Sequence, residues 1–318
     1  MKETILVTGG AGFIGSHICE RYVKEGHNVV IVDNLSSGRH ENIERLLKKE
    51  SVYFYQIDIL DKKKLEEVFQ KHRPTVINHH AAQKSVPDSV ENPTNDLEIN
   101  LMGLINLITL VKKFPIQNFI YVSSGGALSK EIMGDEKSEE TDIPQLVSPY
   151  AITKFAGEQY IKLYSELYKF NFTILRYSNV YGPRQIGDGE CGVIPIFVDN
   201  ILNQKDSILM TYPDMPRGCT RDYVYVSDVV EANVLSLERK VNDIINISSG
   251  SEIGILDIYY TIREVFNSNL SIHIRGPRLG DVKRSVLNNE KAKELIGWEP
   301  QIDLKEGAQF LKDYILHP

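Results

Sequence analysis

The chain has 318 residues, 42% hydrophobic and 25% charged, with a formal charge of −7, which is long enough for one large domain or for two that share a cleft. The acidic balance disfavours a broad cationic surface for nucleic acid, so an anionic ligand has to be held by a few placed arginines. No apolar run approaches the roughly 20 residues that span a bilayer, Met1 leads almost directly into a strand with no room for a signal peptide, and Cys19, Cys191 and Cys219 have neither disulfide nor zinc spacing, all of which fits a reducing cytoplasm.

In chain order, Ile5-Leu6-Val7 reads as a buried parallel strand ended by glycines. Phe13–Glu25 has helical spacing, with Ile14, Ile18 and Tyr22 along one face and Gly26 as its stop. Val29–Val32 is the next strand, with Asp33 at its C-terminal end. The alternation continues through the strand Val52–Ile57, the helix Lys62–Lys71, the strand Val76–Asn78 and a helix around Asn100–Lys113. Then come the strand Phe119–Val122, a helix from Tyr150 to about Lys169 and the strand Thr173–Tyr177. Repeated βα units predict an α/β fold, a doubly wound parallel-sheet Rossmann domain over residues 1–179. After Asn179 the rhythm breaks into a passage with Gly182-Pro183-Arg184, Gly187, Gly189 and Gly192. Residues 221–250 are expected to return to the first sheet, while the remainder of 180–318, including Leu287–Pro318 around Trp298, forms a smaller α/β C-terminal substrate lobe. The acidic stretch Glu131–Asp142 reads as a solvated loop that could serve as a lid.

Gly10-x-Gly12-x-x-Gly15 lies between a strand and a helix, the context in which a glycine-rich turn binds the pyrophosphate of a dinucleotide. The helix that begins at Phe13 offers free N–H groups and the positive end of its dipole. Asp33 suits both ribose hydroxyls and repels a 2′-phosphate, so NAD is expected over NADP. Asp58-Ile59 are placed to meet the adenine, although Asp58 also fits the N-cap of the Lys62 helix. Ala81-Ala82 are small enough for backbone to lie along the cofactor, and the adjacent His79 and His80 read as packed or hydrogen-bonded groups, not metal ligands.

Tyr150 and Lys154 share one helical face. A phenol of ordinary pKa near ~10 is a poor base at neutral pH, and a neighbouring ammonium lowers it by ~1–3 units. That yields the poised phenolate general acid–base chemistry needs. Ser123-Ser124 end a strand, where a hydroxyl can bridge a substrate oxygen and that phenolate or cap the next turn. No Gly-x-Ser-x-Gly elbow is present, which disfavours a serine hydrolase.

Together with Asp33-Asn34, Asn100, Ser123–Ala127, Arg176–Asn179, Arg221–Val224 and Arg278–Asp281, these motifs make the chain resemble, nearly end to end, the extended short-chain dehydrogenase/reductase family. Within it the chain is most similar to the UDP-glucose 4-epimerases. The resemblance implies an NAD-dependent isomerase that acts on a UDP-sugar, pairs as a homodimer, and uses Tyr150 as base, Lys154 at the nicotinamide ribose and Ser124 at the sugar 4′-oxygen. It implies cofactor contacts from Gly9, Gly12, Phe13, Ile14, Gly15, Asp33, Asn34, Ser36, Ser37, Gly38, Asp58, Ile59, Ala81, Ala82, Gln83, Lys84, Asn100, Ser123, Tyr150, Lys154 and Tyr177. Substrate contacts are implied for Ser124, Tyr150, Asn179, Val193, Tyr212, Arg221, Arg278, Asp281 and Ser285. A small residue at Ser285, where hexose-only relatives carry tyrosine, implies room for a 2-acetamido group. Leu128-Ser129-Lys130 departs from the family's Tyr-Gly, and Gly125-Gly126 stands where sugar dehydratases carry an Asp-Glu pair, which disfavours loss of water. The other outcomes are a UDP-glucuronate epimerase or decarboxylase, a net dehydrogenase, or a non-catalytic NAD-binding sensor.

Overall fold

The computed structural model describes residues 2–187, 192–276 and 282–317. Its central sheet has seven parallel strands in the order β11-β6-β5-β4-β1-β2-β3. They are β1 (Thr4–Thr8), β2 (Asn28–Asp33), β3 (Val52–Gln56), β4 (Val76–His79), β5 (Asn118–Ser124), β6 (Asn171–Tyr177) and β11 (Asp243–Ile247). The chain winds outward from β1 in one direction and from β4 in the other, so the order reverses between them. The crevice beyond the C-terminal ends of β1 and β4 is where such sheets bind ligands.

Burial alternates along the strands and divides the core in two. Ile5, Val7, Val29, Ile31 and Ile120 face α1 (Phe13–Lys24) and, from later in the chain, α9 (Val226–Arg239). Leu6, Val30, Ile77 and Phe119 face the other way. There they meet α2 (Lys62–His72), α5 (Gly103–Val111) and α7 (Pro149–Tyr168). Burial on both faces explains why the strands read as continuous apolar runs. The helix expected from Asn100 starts earlier, as α3 (Val86–Glu91) and α4 (Pro93–Leu97), and passes through one π turn, Glu98–Met102, before α5. Asn100 lies in that turn. The short α6 (Gly125–Leu128) follows β5 directly.

The smaller lobe has its own core around Tyr181, Phe197, Tyr259 and Ile262. It contains β7 (Asn179–Tyr181), which pairs with β10 (Tyr223–Tyr225), and β8 (Ser207–Met210), which pairs with β13 (Ile272–Arg275). It also holds β9 (Thr220–Arg221) and β12 (Ile253–Gly254), an antiparallel pair, with α8 (Val193–Leu202), α10 (Ile255–Val265) and α12 (Leu304–Leu316). The expected grouping of Leu287–Pro318 with this lobe is corrected at one place. Ala292 and Ile296 of α11 (Glu290–Ile296) and the indole of Trp298 pack into the first core, beside Val229 and Ile245. Trp298 Nε1 donates to the Asp228 carbonyl at 2.8 Å; a large aromatic with one polar atom buries well where that atom has a partner.

Candidate functional site

Backbone builds the nucleotide turn. Gly9 has φ +69° and lies so close to the segment after β4 that a Cβ there would stand 2.6 Å from Ala81 N. A Cβ on Gly15 would collide with the Gly9 carbonyl oxygen. These glycines close the β1–α1 turn onto Ala81. α1 begins at Gly12 with no side chain capping it and no acid in its first turn, so its leading N–H groups are left for an anion. Asp33 accepts from Ala11 N at 3.0 Å and from Leu35 N at 2.8 Å. A Cβ on Gly38 would stand 2.7 Å from its carboxylate. Burial raises the Asp33 pKa against the lowering effect of those two N–H donors. An uncapped helix start beside a glycine turn, with a carboxylate at the end of β2, fits the pyrophosphate and adenosine ribose of NAD.

The flanking residues divide. Asn34, Ser36 and Ser37 are exposed beside Asp33, and Asn34 Nδ2 donates to Asp58 at 2.8 Å. Asp58 does not cap α2, since Asp61 does so by accepting from Lys64 N. Asp58 accepts instead from Leu60 N and Asn34, which fixes the turn beside the adenosine end. Ile59 is 5% exposed and packs on Gly103 in the second core, so its side chain belongs to the core more than to a ligand surface. Asn100 is fully engaged: it accepts from Gln83 N at 2.9 Å and donates to Gln83 O at 3.0 Å and to Asp96 at 2.9 Å. It acts on the cleft by holding the Ala81-Ala82-Gln83 backbone. Lys84 is exposed at the end of that segment.

Tyr150 and Lys154 sit where α7 crosses the end of β5. Ser148 caps α7 by accepting from Ala151 N at 3.1 Å, and Pro149 begins it. Lys154 is 5% exposed and its Nζ donates to Val122 O at 3.0 Å. The same ammonium lies 5.8 Å from the Tyr150 ring centre and 5.5 Å from that of Tyr121. Burial brings the Lys154 pKa down to about 8, opposed by the negative charges of Asp96 and Glu158. Behind it His79 accepts from or donates to Thr8 Oγ1 at 2.6 Å, and burial drives the pKa of His80 down to about 3, so both rings are neutral packing groups at physiological pH.

Two expected contacts are corrected at the side chain, one on each face of the sheet. The Ser123 hydroxyl is buried and donates to Glu158 of α7 at 2.6 Å. The Tyr177 ring turns into the first core, where its hydroxyl accepts from Asn233 at 2.7 Å, so only backbone remains for the cofactor at either residue. Ser124, on the sheet face opposite to Ser123 and shared with Tyr177, is half-buried and caps α6 by accepting from Ala127 N at 3.3 Å. Glu158 was missed in the sequence. It holds Arg176 through bonds of 2.8 and 2.7 Å, a buried pair that ties α7 to β6. Its signal was the spacing Tyr150, Lys154, Glu158, one turn after another along a single face.

On the substrate side Asn179 donates through N and Nδ2 to the Asp222 carbonyl, at 3.0 and 2.9 Å. The Asp222 carboxylate gathers Ser249 N, Gly250 N and Leu287 N, which joins β10 to the returning chain. Arg221 Nη1 rests on the Thr220 carbonyl at 2.7 Å, leaving the rest of its guanidinium fork for an anion. Val193 begins α8, and the Tyr212 ring lies under Lys283 Nζ at 5.6 Å. Arg278 and Asp281 lie outside the described residues. Ser285 is buried and its hydroxyl pairs with that of Ser129 at 2.9 Å, so the departing loop and the pocket position are joined. The acidic stretch is stitched down rather than simply solvated: Ser138 N donates to Val286 O at 2.9 Å, Glu140 accepts from Asn246 N at 2.7 Å, and Ile132 is buried. Arg184, also missed, reaches back from the lobe to Ser16 at 3.0 Å and pairs with Glu20, so the loop after β7 grips the first turns of α1.

The chain is 43% identical over 305 residues to a putative UDP-glucose 4-epimerase of Methanocaldococcus jannaschii, covering 96% of each chain. Its structure superposes with a TM-score of 0.92 on the UDP-glucose 4-epimerase of Thermotoga maritima solved with UDP-glucose, at 39% identity over 98% of both chains. The Thermus thermophilus UDP-glucose 4-epimerase in complex with NAD gives 0.91, at 38% identity over 99% of both. Residues 5–248 match the family described as NAD dependent epimerase/dehydratase. With the glycine turn, Asp33 and the Tyr150–Lys154 pair in one crevice, the chain belongs to the NAD dependent epimerase/dehydratase family, and its cofactor is NAD.

Proposed function

We propose that the protein interconverts UDP-hexoses at C4 through a 4-keto sugar, accepting UDP-glucose and UDP-galactose together with their 2-acetamido counterparts. The observation that carries the reading is the Lys154 ammonium, fixed on Val122 O at 3.0 Å and lying 5.8 Å from the Tyr150 ring centre. NAD, when bound, takes the C4 hydride and gives it back. Tyr150, its phenolate favoured by Lys154, removes the 4′-hydroxyl proton and later returns it. Ser124 orients the same oxygen, and Arg221 and Asn179, with Arg278 and Asp281, hold the UDP handle about which the keto sugar turns. Val193 and Tyr212 border the uracil. The small Ser285, paired with Ser129, supports the wider sugar range.

A second copy of the chain is the proposed partner. Exposed Leu97 and Met102 beside α5, with Ile152, Leu163 and Leu167 on α7, support pairing through these helices. Light scattering that finds only monomer at working concentration counts against it.

The test is incubation of the purified protein with UDP-glucose, UDP-N-acetylglucosamine and UDP-glucuronate, following the configuration at C4 by NMR. Inversion of the first two without accumulation of free NADH supports the reading. Carbon dioxide from the uronate, or NADH in step with substrate, replaces it.

A further inference from the structure

Two buried carboxylates flank Lys154, and they differ in how their charge is balanced. Glu158, one turn further along α7, is clasped by the Arg176 guanidinium through two bonds, at 2.8 and 2.7 Å, so its charge is offset within the pair. Asp96, at the end of α4, is fully buried, and its hydrogen bonds come from neutral groups. Thr153 Oγ1 donates at 2.7 Å, Asn100 Nδ2 at 2.9 Å and Gln83 Nε2 at 3.3 Å. Thr153 precedes Lys154 on α7, so this carboxylate is bonded directly to the turn that carries the ammonium. Apart from Tyr150, which is negative only when its phenol is ionised, the other groups around Lys154 bring no negative charge. His79 and His80 are neutral, Tyr121 and Tyr150 offer ring faces, and Val122 offers a carbonyl oxygen.

A buried ammonium needs a counter-charge to stay protonated. We infer that Asp96 is the positioning residue that keeps Lys154 charged: a carboxylate held only by neutral donors and shared between α4 and α7, acting on the reacting phenol through the lysine. The inference rests on the proposed roles of Tyr150 and Lys154. It gives the buried Asp96 carboxylate a task in catalysis through its charge, while its bond from Asn100, which fixes the Gln83 backbone, places it next to the cleft. Burial and Asp96 act in opposite directions on Lys154, whose pKa is about 8. Removing the carboxylate leaves burial unopposed from that side.

The experiment compares Asp96→Asn with Thr153→Val, which deletes one hydrogen bond and keeps the charge. Lysines are labelled at Cε in the enzyme as purified, and the Lys154 resonance is assigned by its loss in Lys154→Met. In Asp96→Asn the Lys154 titration midpoint is expected to fall by about one pH unit, and the alkaline limb of kcat to fall with it. At the pH where the unmodified enzyme is half-active on that limb, the variant keeps about a tenth of its turnover. Thr153→Val is expected to leave both midpoints in place. Should Asp96→Asn fail to fold, Asp96→Ser, which leaves room for water, carries the same measurement. A Lys154 midpoint unchanged in the Asp96 variant, or shifted equally by Thr153→Val, overturns the inference. Full turnover in Tyr150→Phe overturns the acid–base reading instead, while the Lys154 titration still reports on Asp96.

Discussion

The nucleotide turn and the sugar end of the cleft are built by different means. At the turn, backbone lies against backbone: Gly9 against Ala81 and Gly15 against the Gly9 carbonyl. At the sugar end, side chains meet side chains: Ser129 with Ser285, Arg284 with Glu252, Lys283 with Asp214. A backbone contact admits one residue type, because any Cβ collides. A side-chain contact admits many. The first region is therefore tightly constrained in sequence, and the second is free to vary.

Four substitutions test that contrast. The largest effect is expected at the junction of the regions, where Tyr150→Phe removes the proposed proton-transfer group and lowers kcat by about 10²–10⁴-fold with NAD still retained. Retention is checked by nucleotide release on denaturation, and near-normal turnover breaks the assignment. Next, Glu158→Ala leaves the Arg176 guanidinium buried without its partner and is expected to cost about 3–5 kcal/mol in urea unfolding, against both bonds seen at 2.8 and 2.7 Å. A loss below 1 kcal/mol, on the order of an exposed pair, would show that water reaches the pair. Third, Gly9→Ala combines a positive φ with a collision on Ala81 and should destabilise by about 2–4 kcal/mol, with release of NAD. An unaffected midpoint would mean that the turn yields, and the contrast between regions would lose its basis. The smallest effect falls at the sugar end. Ser285→Tyr puts a ring beside Ser129 and should cut turnover of the 2-acetamido substrate about 10–200-fold relative to UDP-glucose, at a cost of about 1–3 kcal/mol in stability because the position is buried. Equal loss of both substrates would point to a collapsed loop rather than a selective pocket.

The same contrast explains what the sequence made legible. Ile5-Leu6-Val7, Val29–Val32 and Phe119–Val122 are apolar on both faces because helices cover both sides of the sheet, so their order along the chain already implied a parallel, doubly wound arrangement. Gly9, Gly15 and Asp33 stood out because geometry leaves few alternatives at those places. Tyr150 and Lys154 were visible by helical spacing. The side-chain partners of Ser123 and Tyr177 were not visible: knowing that a strand ends there does not say what each hydroxyl meets, and these go to Glu158 and Asn233. Asp96 and Glu158 were hidden for another reason. Each is a common acid in a helical stretch, and its burial depends on a partner from a distant segment, Thr153 for one and Arg176 for the other. The Trp298 region misled because local sequence carries no sign of which core an aromatic will enter.

Trp298 also bears on how the protein is made. The sheet that carries the nucleotide turn takes its last strand from Asp243–Ile247, and one face of its core is sealed by an indole that emerges some fifty residues later. A nascent chain long enough to display every glycine of the turn still lacks an edge strand and has apolar surface open to water until the segment through Trp298 has followed. Arrival of Trp298, not emergence of the N-terminal half, is then the moment at which the coenzyme meets a finished receptor, and truncation before Trp298 is expected to yield aggregation rather than a working nucleotide-binding fragment.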